Sequence, residues 1–218
     1  MRIGIIGAGN IGGNLARRLG PLGHEVRIAN SRGPETLSEL AAVEGVTPVL
    51  AAEAAKDAEV VIVTIPLVTV AELPDDILDG AADGAVVIDT NNYYPQQRDG
   101  RIAAIEDGQP ESAWVAEQLG RPVVKAFNGV YSDWILEVGE PDGPRFAIPV
   151  AGDDPEAKAV VMALVEELGF DPVDAGSIAE SWRQQPGSQS YGLQADEDGL
   201  REALAAADPE RTPEWRAA

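Results

Sequence analysis

The stretch that decides the fold is MRIGIIGAGNIGGNLARRLGPLGHEVRIANSR, residues 1–32. Residues 1–6 predict a short buried strand, and the string GAGNIG follows it directly at 7–12. A helical pattern then extends to Gly20, and residues 24–29 predict a second strand. A strand, a glycine-rich turn, a helix and a second strand in this order are typical of a βαβ unit that binds a dinucleotide.

Each glycine of this motif has its own expected role. Gly7 permits a tight turn, Gly9 lets a pyrophosphate approach the backbone, and Gly12 lets the helix pack closely on the strand. The pyrophosphate is expected at the helix N-terminus, where unpaired N–H groups and the helix dipole favour an anion. We therefore predict that Gly7, Gly9, Asn10, Ile11 and Gly12 bind the dinucleotide. The alternative is a relic of the same fold that no longer binds.

The end of the second strand indicates which dinucleotide is bound. Many dinucleotide-binding proteins have an acidic residue there, which accepts hydrogen bonds from the adenosine ribose and repels a 2′-phosphate. This chain has Asn30, Ser31 and Arg32 instead, which offer hydrogen-bond donors and one fixed positive charge. These three residues favour NADP(H) as the cofactor. The alternative is that Arg32 is simply a solvated turn residue.

Composition limits the remaining possibilities. The 218 residues suffice for one domain of ordinary size, and the absence of cysteine excludes disulfides, thiolate metal sites and cysteine nucleophiles. The net charge of −21 argues against a nucleic-acid-binding surface. The sequence shows no apolar run of about 18 residues and no charged-then-apolar leader, so we expect a cytoplasmic protein with no membrane partner.

Strand and helix signals alternate along the chain, which predicts an α/β fold with a Rossmann-like, doubly wound, mainly parallel sheet. Further strands are predicted at 48–50, 59–66, 85–90, 122–127, 146–151 and 170–174, and helices at 51–57, 68–73, 112–119, 155–168 and 199–207. We expect residues 1–176 to form the NADP-binding domain. Residues 177–218 are predicted to form a short irregular and helical extension that covers the substrate site or makes a dimer contact.

Ligands of an open α/β sheet bind beyond the carboxyl ends of its strands. This rule nominates Thr64, Ile65 and Pro66 after one strand, with Ile65 and Pro66 as an apolar wall beside a nicotinamide ring. It also nominates Asn91 and Asn128, which can hold the carboxamide of that ring or a ribose hydroxyl. The alternative for each asparagine is a turn residue that ends a strand.

Side chains suited to acid–base catalysis are few. The one histidine, His24, precedes the second strand and is therefore expected at the end of the sheet opposite the cofactor. Asp153 and Asp154 are typical of the start of a helix, and no cluster has metal-ligand spacing. Hydride transfer between two bound rings suits such a site, because the protein need only bind, orient and exclude water. We therefore predict no catalytic acid or base and no metal.

The chain resembles the reductases that pass hydride between NADP and the deazaflavin coenzyme F420, and the related cytosolic domain of membrane ferric reductases. The resemblance spans residues 1–176 and depends on five segments, which are Gly7–Gly12, Gly23–Val26 with Ser31–Arg32, Thr64–Pro66, Pro149–Asp154 and Asp174–Gly176. It implies that Ser31 and Arg32 hold the 2′-phosphate, that Ile65 and Pro66 line the nicotinamide pocket, and that the protein is a homodimer.

Two features depart from the pattern of that family. A lysine usually follows the serine–arginine pair, whereas this chain has residues 33–36 without one. The tail of the family is largely apolar and helps to cover the deazaflavin, whereas here it contains Trp182 and Arg183. These two residues either contact a substrate ring and its phosphate or form a packed tryptophan beside a surface arginine.

Three functions remain open at this point. The first is hydride transfer between NADPH and a deazaflavin, a flavin or another flat acceptor. The second is the reduction of a small carbonyl or imine, for which Tyr93, Tyr94 and Tyr131 are the candidate proton donors. The third is a non-enzymatic NADP sensor or interaction module.

Overall fold

Six parallel strands form the central sheet, in the order β3-β2-β1-β4-β5-β6. The computed structural model describes residues 1–138 and 145–217. The strands of this sheet are Arg2–Ile6 (β1), Glu25–Ala29 (β2), Val46–Pro48 (β3), Val60–Val63 (β4), Val86–Asp89 (β5) and Val124–Lys125 (β6). The order 3-2-1-4-5-6 is that of the Rossmann fold, so the predicted doubly wound sheet is confirmed.

Two further strands, Ala147–Val150 (β7) and Asp171–Asp174 (β8), pair in parallel with each other. They join the central sheet at one antiparallel bridge between Lys125 and Ala151. The backbone N–H of each of these two residues donates to the carbonyl of the other, at 2.8 and 3.0 Å. The second strand pair therefore continues the edge of the sheet beside β6.

Helices cover both faces of the sheet. The α-helices are Asn10–Leu19 (α1), Ser38–Ala41 (α2), Ala51–Ala54 (α3), Ala103–Glu106 (α4), Glu111–Leu119 (α5), Trp134–Glu137 (α6), Pro155–Glu167 (α7) and Glu197–Ala205 (α8). Segments Pro34–Leu37, Leu67–Glu72, Ile178–Gln184 and Pro213–Trp215 are 3-10 helices, and Pro95–Asp99 is a π-helical turn.

The residues of β4 show why the predicted central strands are continuously apolar. Val60 and Ile62 pack into the hydrophobic cluster that contains side chains of α1 and α7. Val61 and Val63 point to the opposite face and pack into a second cluster with side chains of α3 and α5. A strand buried on both faces needs no polar alternation, as the sequence predicts.

Several predicted boundaries are wrong. The third strand begins two residues earlier than predicted, because Val46 pairs with Val26 and Pro48 with Ile28. Proline is tolerated there because β3 is an edge strand. The predicted helix at 51–57 ends at Ala54, and the one at 68–73 is a 3-10 helix. The helices α2, α4 and α6 were not predicted, because four residues are too few to show a helical period.

The C-terminal extension, residues 177–217, packs closely on the rest of the chain. In α8, Leu200 and Leu204 are buried against Ala147 of β7 and Val173 of β8. The extension begins with a capping box in which Ser177 and Glu180 bond each other. Its first turn is joined to the segment just before α7, because Asp153 accepts a hydrogen bond from the Ile178 N–H at 2.9 Å.

Arg18 joins α1 to two distant segments of the chain. Its guanidinium donates to the carbonyl oxygens of Ile135 at 3.0 Å, Leu168 at 3.1 Å and Val138. Arg18 therefore holds α1 against these two segments. The adjacent Arg17 instead forms an exposed ion pair with Glu39.

In the part of the chain that the structure describes, no helix has the length and the apolar character that crossing a membrane requires.

The two adjacent arginines allow a matched test of this packing. Arg18→Ala should lower the free energy of unfolding by about 2 kcal/mol, because it leaves carbonyl oxygens without their charged donor. Arg17→Ala should change it by less than about 0.5 kcal/mol, because an exposed ion pair contributes little. Urea denaturation of both variants measures the difference. Equal losses would show that Arg18 does not hold these segments together.

Candidate functional site

Two adjoining clefts lie beyond the carboxyl ends of the strands. The first, here called the adenosine cleft after the part of the predicted cofactor that is expected there, has a volume of about 590 Å³ and lies between the ends of β1 and β2 and the segment after β4. The second, here called the acceptor cleft after the predicted hydride acceptor, has a volume of about 440 Å³ and is lined by residues 9–11, 64–66, 90–92, 94, 98, 128, 130–132 and 191. The two clefts share Gly9 and residues 64–66, so they form one continuous groove.

The structure gathers nearly all of the predicted binding residues around this groove. Those that line the adenosine cleft are Gly7, Gly9, Asn30, Ser31, Arg32, Thr64, Ile65 and Pro66. Those that line the acceptor cleft are Gly9, Asn10, Ile11, Thr64, Ile65, Pro66, Asn91 and Asn128. Gly12 lies behind the groove, where it has the packing role expected of the third glycine.

The three glycines differ in what surrounds them. A Cβ atom on Gly12 would lie 2.1 Å from the Gly7 carbonyl oxygen, and one on Gly7 would lie 2.1 Å from the Thr64 carbonyl oxygen. A Cβ on Gly9 would meet no atom within 4 Å, because it would point into open space. Gly7 and Gly12 are therefore needed for packing, while Gly9 leaves room at the N-terminus of α1 for a ligand.

The loop after β2 is shaped by Asn30. Its side-chain oxygen accepts a hydrogen bond from the Arg32 N–H at 3.0 Å, and its amide nitrogen donates to the Thr36 hydroxyl at 2.9 Å. Ser31 and Arg32 are exposed, and the Arg32 guanidinium makes no hydrogen bond or ion pair with any residue that the structure describes. Asn30 thus orders the loop, and Ser31 and Arg32 remain available at the rim of the adenosine cleft.

Asn91 is held on three sides. Its backbone N–H donates to Asp89 at 2.9 Å, its carbonyl oxygen accepts from Lys125, and its side-chain oxygen accepts from the Ile65 N–H at 3.1 Å. The remaining polar atom, the amide nitrogen Nδ2, is buried and has no partner among the described residues. A fixed amide donor without a partner in the wall of a cleft is suited to a ligand oxygen.

A fully buried ion pair bonds the backbone of Asn91. This pair was not predicted from the sequence. The Lys125 ammonium lies 3.2 Å from Asp89 Oδ2, and the Ser112 hydroxyl donates to the same oxygen at 2.6 Å. Asp89 and Lys125 are partners in the register of β5 and β6. The available signal was one charged residue at the end of each of two otherwise apolar strands.

Asn128 lines the acceptor cleft, but its amide is already bonded at both ends. Its nitrogen donates to the Gln184 carbonyl at 2.7 Å, and its oxygen accepts from the Gln184 side chain at 3.1 Å. The preceding residue, Phe127, has a φ of 63°, which is rare for a bulky side chain and turns the chain sharply after β6. Asn128 therefore links the end of β6 to the C-terminal extension, and its expected contact with a cofactor remains a prediction.

The three tyrosines nominated as proton donors are in different places. Tyr93 is fully buried, and its hydroxyl bonds Gly100 and Glu106, so it does not reach the groove. Burial raises the pKa of Tyr93 to about 12. Tyr94 and Tyr131 both line the acceptor cleft.

Tyr191 of the C-terminal extension also lines the acceptor cleft and was not predicted. Its hydroxyl contacts the Tyr94 hydroxyl, and both rings pack near Trp215, with centroids 6.5 and 5.9 Å away. Burial raises the pKa of both hydroxyls. No motif surrounds Tyr191 in the sequence, so only the three-dimensional contact identifies it.

Residues 208–217 pack beside the acceptor cleft and are held there partly by an ion pair with the buried Glu111. Glu111 is fully buried, accepts a hydrogen bond from the Tyr93 N–H at 3.2 Å and forms an ion pair with Arg211. Burial raises the pKa of Glu111, and the positive charges of Lys125 and Arg211 oppose this shift. Gln96 also bonds the carbonyl oxygens of this segment, at Pro213 and Arg216.

Trp182 and Arg183 do not line either cleft. The Arg183 guanidinium lies 4.6 Å from the centre of the Trp182 ring and donates to the Leu204 carbonyl at 3.2 Å. They therefore form a packed tryptophan covered by an arginine, which was the second of the two expectations for these residues.

His24 and Asp154 have structural contacts. His24 is buried at the opposite end of the sheet, between the Met1 amino group and Glu167, each at 3.1 Å. Asp154 caps α7 by accepting hydrogen bonds from the N–H groups of residues 156 and 157.

Comparison with known proteins agrees with this geometry. Residues 2–93 match the family model described as NADP oxidoreductase, coenzyme F420-dependent. The metalloreductase STEAP3 of Rattus norvegicus is 30% identical over 189 residues, which are 83% of this chain and 35% of that protein. The chain spans less than half the length of the curated relatives it matches.

Two solved structures are similar over most of their length. The hypothetical protein SMa0349 of Sinorhizobium meliloti is 31% identical with a TM-score of 0.75, over 91% of this chain and 96% of that one. A structure assigned as an F420-dependent NADP reductase of Arthrobacter sp. FB24 is 24% identical with a TM-score of 0.68, over 83% and 87% of the two chains, and it supports the fold. Over residues 2–93 the chain is therefore similar to the coenzyme F420-dependent NADP oxidoreductases.

Proposed function

We propose that the protein transfers a hydride between NADPH and a flat acceptor, a deazaflavin or a flavin, without a protein acid or base. The single observation that carries this proposal is the continuous groove formed by the adenosine and acceptor clefts. Such a groove accommodates an extended dinucleotide with its pyrophosphate beside the N-terminus of α1. It leaves space in the acceptor cleft for a second ring.

The residues of the groove fit NADP(H). Ser31 and Arg32 offer donors for a 2′-phosphate, Gly9 leaves open space for a pyrophosphate, and the unpartnered amide of Asn91 is suited to a carboxamide or ribose oxygen. Bound NADPH supplies a hydride that leaves with its electron pair. The protein binds, orients and excludes water around the two rings.

The acceptor cleft is suited to a reaction in which no side chain gains or loses a proton. Its lining consists of backbone, apolar groups, hydroxyls and amides together with the guanidinium of Arg98. Burial raises the pKa of Tyr94 and of Tyr191, so these hydroxyls stay protonated at neutral pH. Ile65 and Pro66 form the apolar part of the wall, against which a planar ring can pack.

The choice of acceptor follows from the similar proteins. The matched family is described as coenzyme F420-dependent, and the rat relative is named a metalloreductase. A deazaflavin or flavin ring is flat and conjugated, and the acceptor cleft has the size of a small-molecule site. We further propose that the protein acts in the cytoplasm as a homodimer.

A second candidate function is the reduction of a small carbonyl or imine. The observation that favours it is the position of the Tyr94 and Tyr131 hydroxyls in the acceptor cleft. NADPH oxidation with a deazaflavin, a flavin, and a panel of small ketones and imines separates the two. Turnover of the ketones or imines alone would exclude the first proposal, and NADPH binding without turnover of any acceptor would favour a sensor.

Arg32→Ala tests the choice of dinucleotide. We expect NADPH affinity to fall by about 1–3 kcal/mol, as for the loss of a charged hydrogen bond to phosphate, while NADH affinity barely changes. Arg17→Ala is the control, because it removes the same charge from α1 without altering the groove. Calorimetric titration of the unaltered protein and both variants measures the six affinities. Equal losses for NADPH and NADH would remove Arg32 from the specificity site.

The pH dependence of hydride transfer tests the absence of an acid or base. Because burial raises the pKa of Tyr94 and of Tyr191, both stay protonated from pH 6.5 to 9. The single-turnover rate at saturating NADPH and deazaflavin should therefore vary by less than about twofold over this range. Stopped-flow absorbance of the nicotinamide measures it. A steep bell-shaped profile would contradict the proposed mechanism.

A further inference from the structure

Tyr94 and Tyr191, here called the tyrosine pair, place two hydroxyl groups in contact in the wall of the acceptor cleft. Tyr94 follows β5 and Tyr191 comes from the C-terminal extension, 97 residues away in sequence. Trp215 packs near both rings, and the Arg98 guanidinium lies 5.1 Å from the centre of the Tyr94 ring. The pair is therefore assembled by tertiary packing from separate parts of the chain.

The amide of Asn92 has an orientation that its neighbours fix. Its nitrogen donates to the backbone carbonyl of Asn128 at 2.7 Å, and a carbonyl can only accept. Its oxygen accepts from the Asn128 side-chain nitrogen at 3.0 Å, and that nitrogen is itself identified by its bond to the Gln184 carbonyl. The Asn92 nitrogen also lies 3.4 Å from the Tyr191 hydroxyl, to which it can only donate.

One of the two hydroxyl hydrogens of the tyrosine pair has no acceptor among the described residues. The tyrosine pair has two hydroxyl hydrogens, and the contact between the hydroxyls uses one of them. Asn92 donates to the pair and so accepts neither hydrogen. No other described residue accepts a hydrogen bond from either hydroxyl. Whichever tyrosine donates to the other, one O–H remains available to a ligand in the acceptor cleft.

We propose that the tyrosine pair donates this remaining hydrogen bond to the acceptor atom that gains negative charge when the hydride arrives. This inference rests on the proposed function and specifies the class of acceptor as a neutral conjugated ring that becomes an anion on reduction. Tyr94 and Tyr191 are then catalytic residues that touch the acceptor, and Asn92 is a positioning residue.

The charge balance of the step explains the need for a donor. When carbon 5 of a 5-deazaflavin gains a hydride, the displaced π-electron pair moves through the ring to N1 and the adjacent carbonyl, and the neutral ring becomes an anion. A fixed hydroxyl donor at that position stabilises the charge as it develops. The hydroxyl keeps its own proton, because burial raises the pKa of both tyrosines, and N1 later takes a proton from water.

A pair of flat tricyclic acceptors with different charge provides the test. With neutral 5-deazariboflavin, hydride uptake creates an anion. With the 10-methylacridinium cation, carbon 9 gains the hydride, the electron pair cancels the charge on N10, and the product is neutral. The protein variant is Tyr94→Phe combined with Tyr191→Phe, since either hydroxyl alone can still donate. Single-turnover rates are measured with NADPH saturating.

We expect the double variant to reduce 5-deazariboflavin about 100-fold more slowly than the unaltered protein, as for loss of an oxyanion donor. Its rate with 10-methylacridinium should change by less than about threefold, because no negative charge develops. Equal losses with both acceptors would mean that the tyrosines only shape the cleft and would overturn the inference. No loss with 5-deazariboflavin would overturn it as well.

Failure of the proposed function gives a different result. If the unaltered protein reduces neither acceptor, then both the hydride transfer and the role of the tyrosine pair are rejected. If it reduces both acceptors and the double variant slows both equally, only the role of the pair is rejected.

A binding measurement without dinucleotide gives a second readout. At pH 8.5 the reduced 5-deazariboflavin anion should bind the double variant about tenfold more weakly than the unaltered protein, while the neutral oxidised form changes by less than about threefold. Fluorescence titration measures both affinities. Equal changes for the two forms would contradict a donor that recognises the anion.

Discussion

The close contact between β1, α1 and β4 is the constraint on which the rest of the structure depends. Gly12 packs against the carbonyl of Gly7, and Gly7 packs against the carbonyl of Thr64, each without room for a Cβ atom. This contact brings the N-terminus of α1 to the carboxyl ends of β1 and β4. It fixes the point where the two clefts meet, and the other binding residues are arranged along the groove on either side of it.

Charged groups are buried beneath the acceptor cleft, whereas its surface is largely neutral. Asp89 and Lys125 form a fully buried ion pair, and the fully buried Glu111 pairs with the partly exposed Arg211. Removing Lys125 or Arg211 would leave a buried carboxylate unpaired, at a cost of about 3–5 kcal/mol. The first pair holds the backbone of Asn91, and Glu111 holds the backbone of Tyr93. Buried charge is thus used to position neutral hydrogen-bonding groups, which suits a reaction that moves a hydride and no side-chain proton.

The sequence predicts the first half of the groove well, because its signals are local. Glycines at fixed spacing, the polar end of β2 and the apolar run of β4 are each contained in a few consecutive residues. The strand-end rule and the family resemblance both nominate residues 64–66, whose position in the shared wall agrees with their expected place. Asn91 was nominated from the strand-end rule alone, and the structure adds the unpartnered amide nitrogen.

The contacts that complete the acceptor cleft could not be predicted, because they join distant parts of the chain. Tyr191 contacts Tyr94, from which it is 97 residues away in sequence, and Arg211 pairs with Glu111, which is 100 residues away. The contacts of Arg18 could not be predicted for the same reason, since its carbonyl partners are more than 115 residues away in sequence. The extension from residue 177 was expected to cover the substrate site or to make a dimer contact, but its start has no helical or strand period. The structure identifies Gln184 and Tyr191 as the residues that pack on the site.

The central claim, that a dinucleotide crosses the N-terminus of α1 at Gly9, has one direct test. Because a Cβ at Gly9 meets no protein atom within 4 Å, Gly9→Val should keep the unfolding free energy within about 1 kcal/mol while filling the space of the pyrophosphate. Calorimetric titration with NADPH should then show an affinity at least about 100-fold weaker than that of the unaltered protein. Unchanged NADPH affinity in a stably folded Gly9→Val variant would contradict the account.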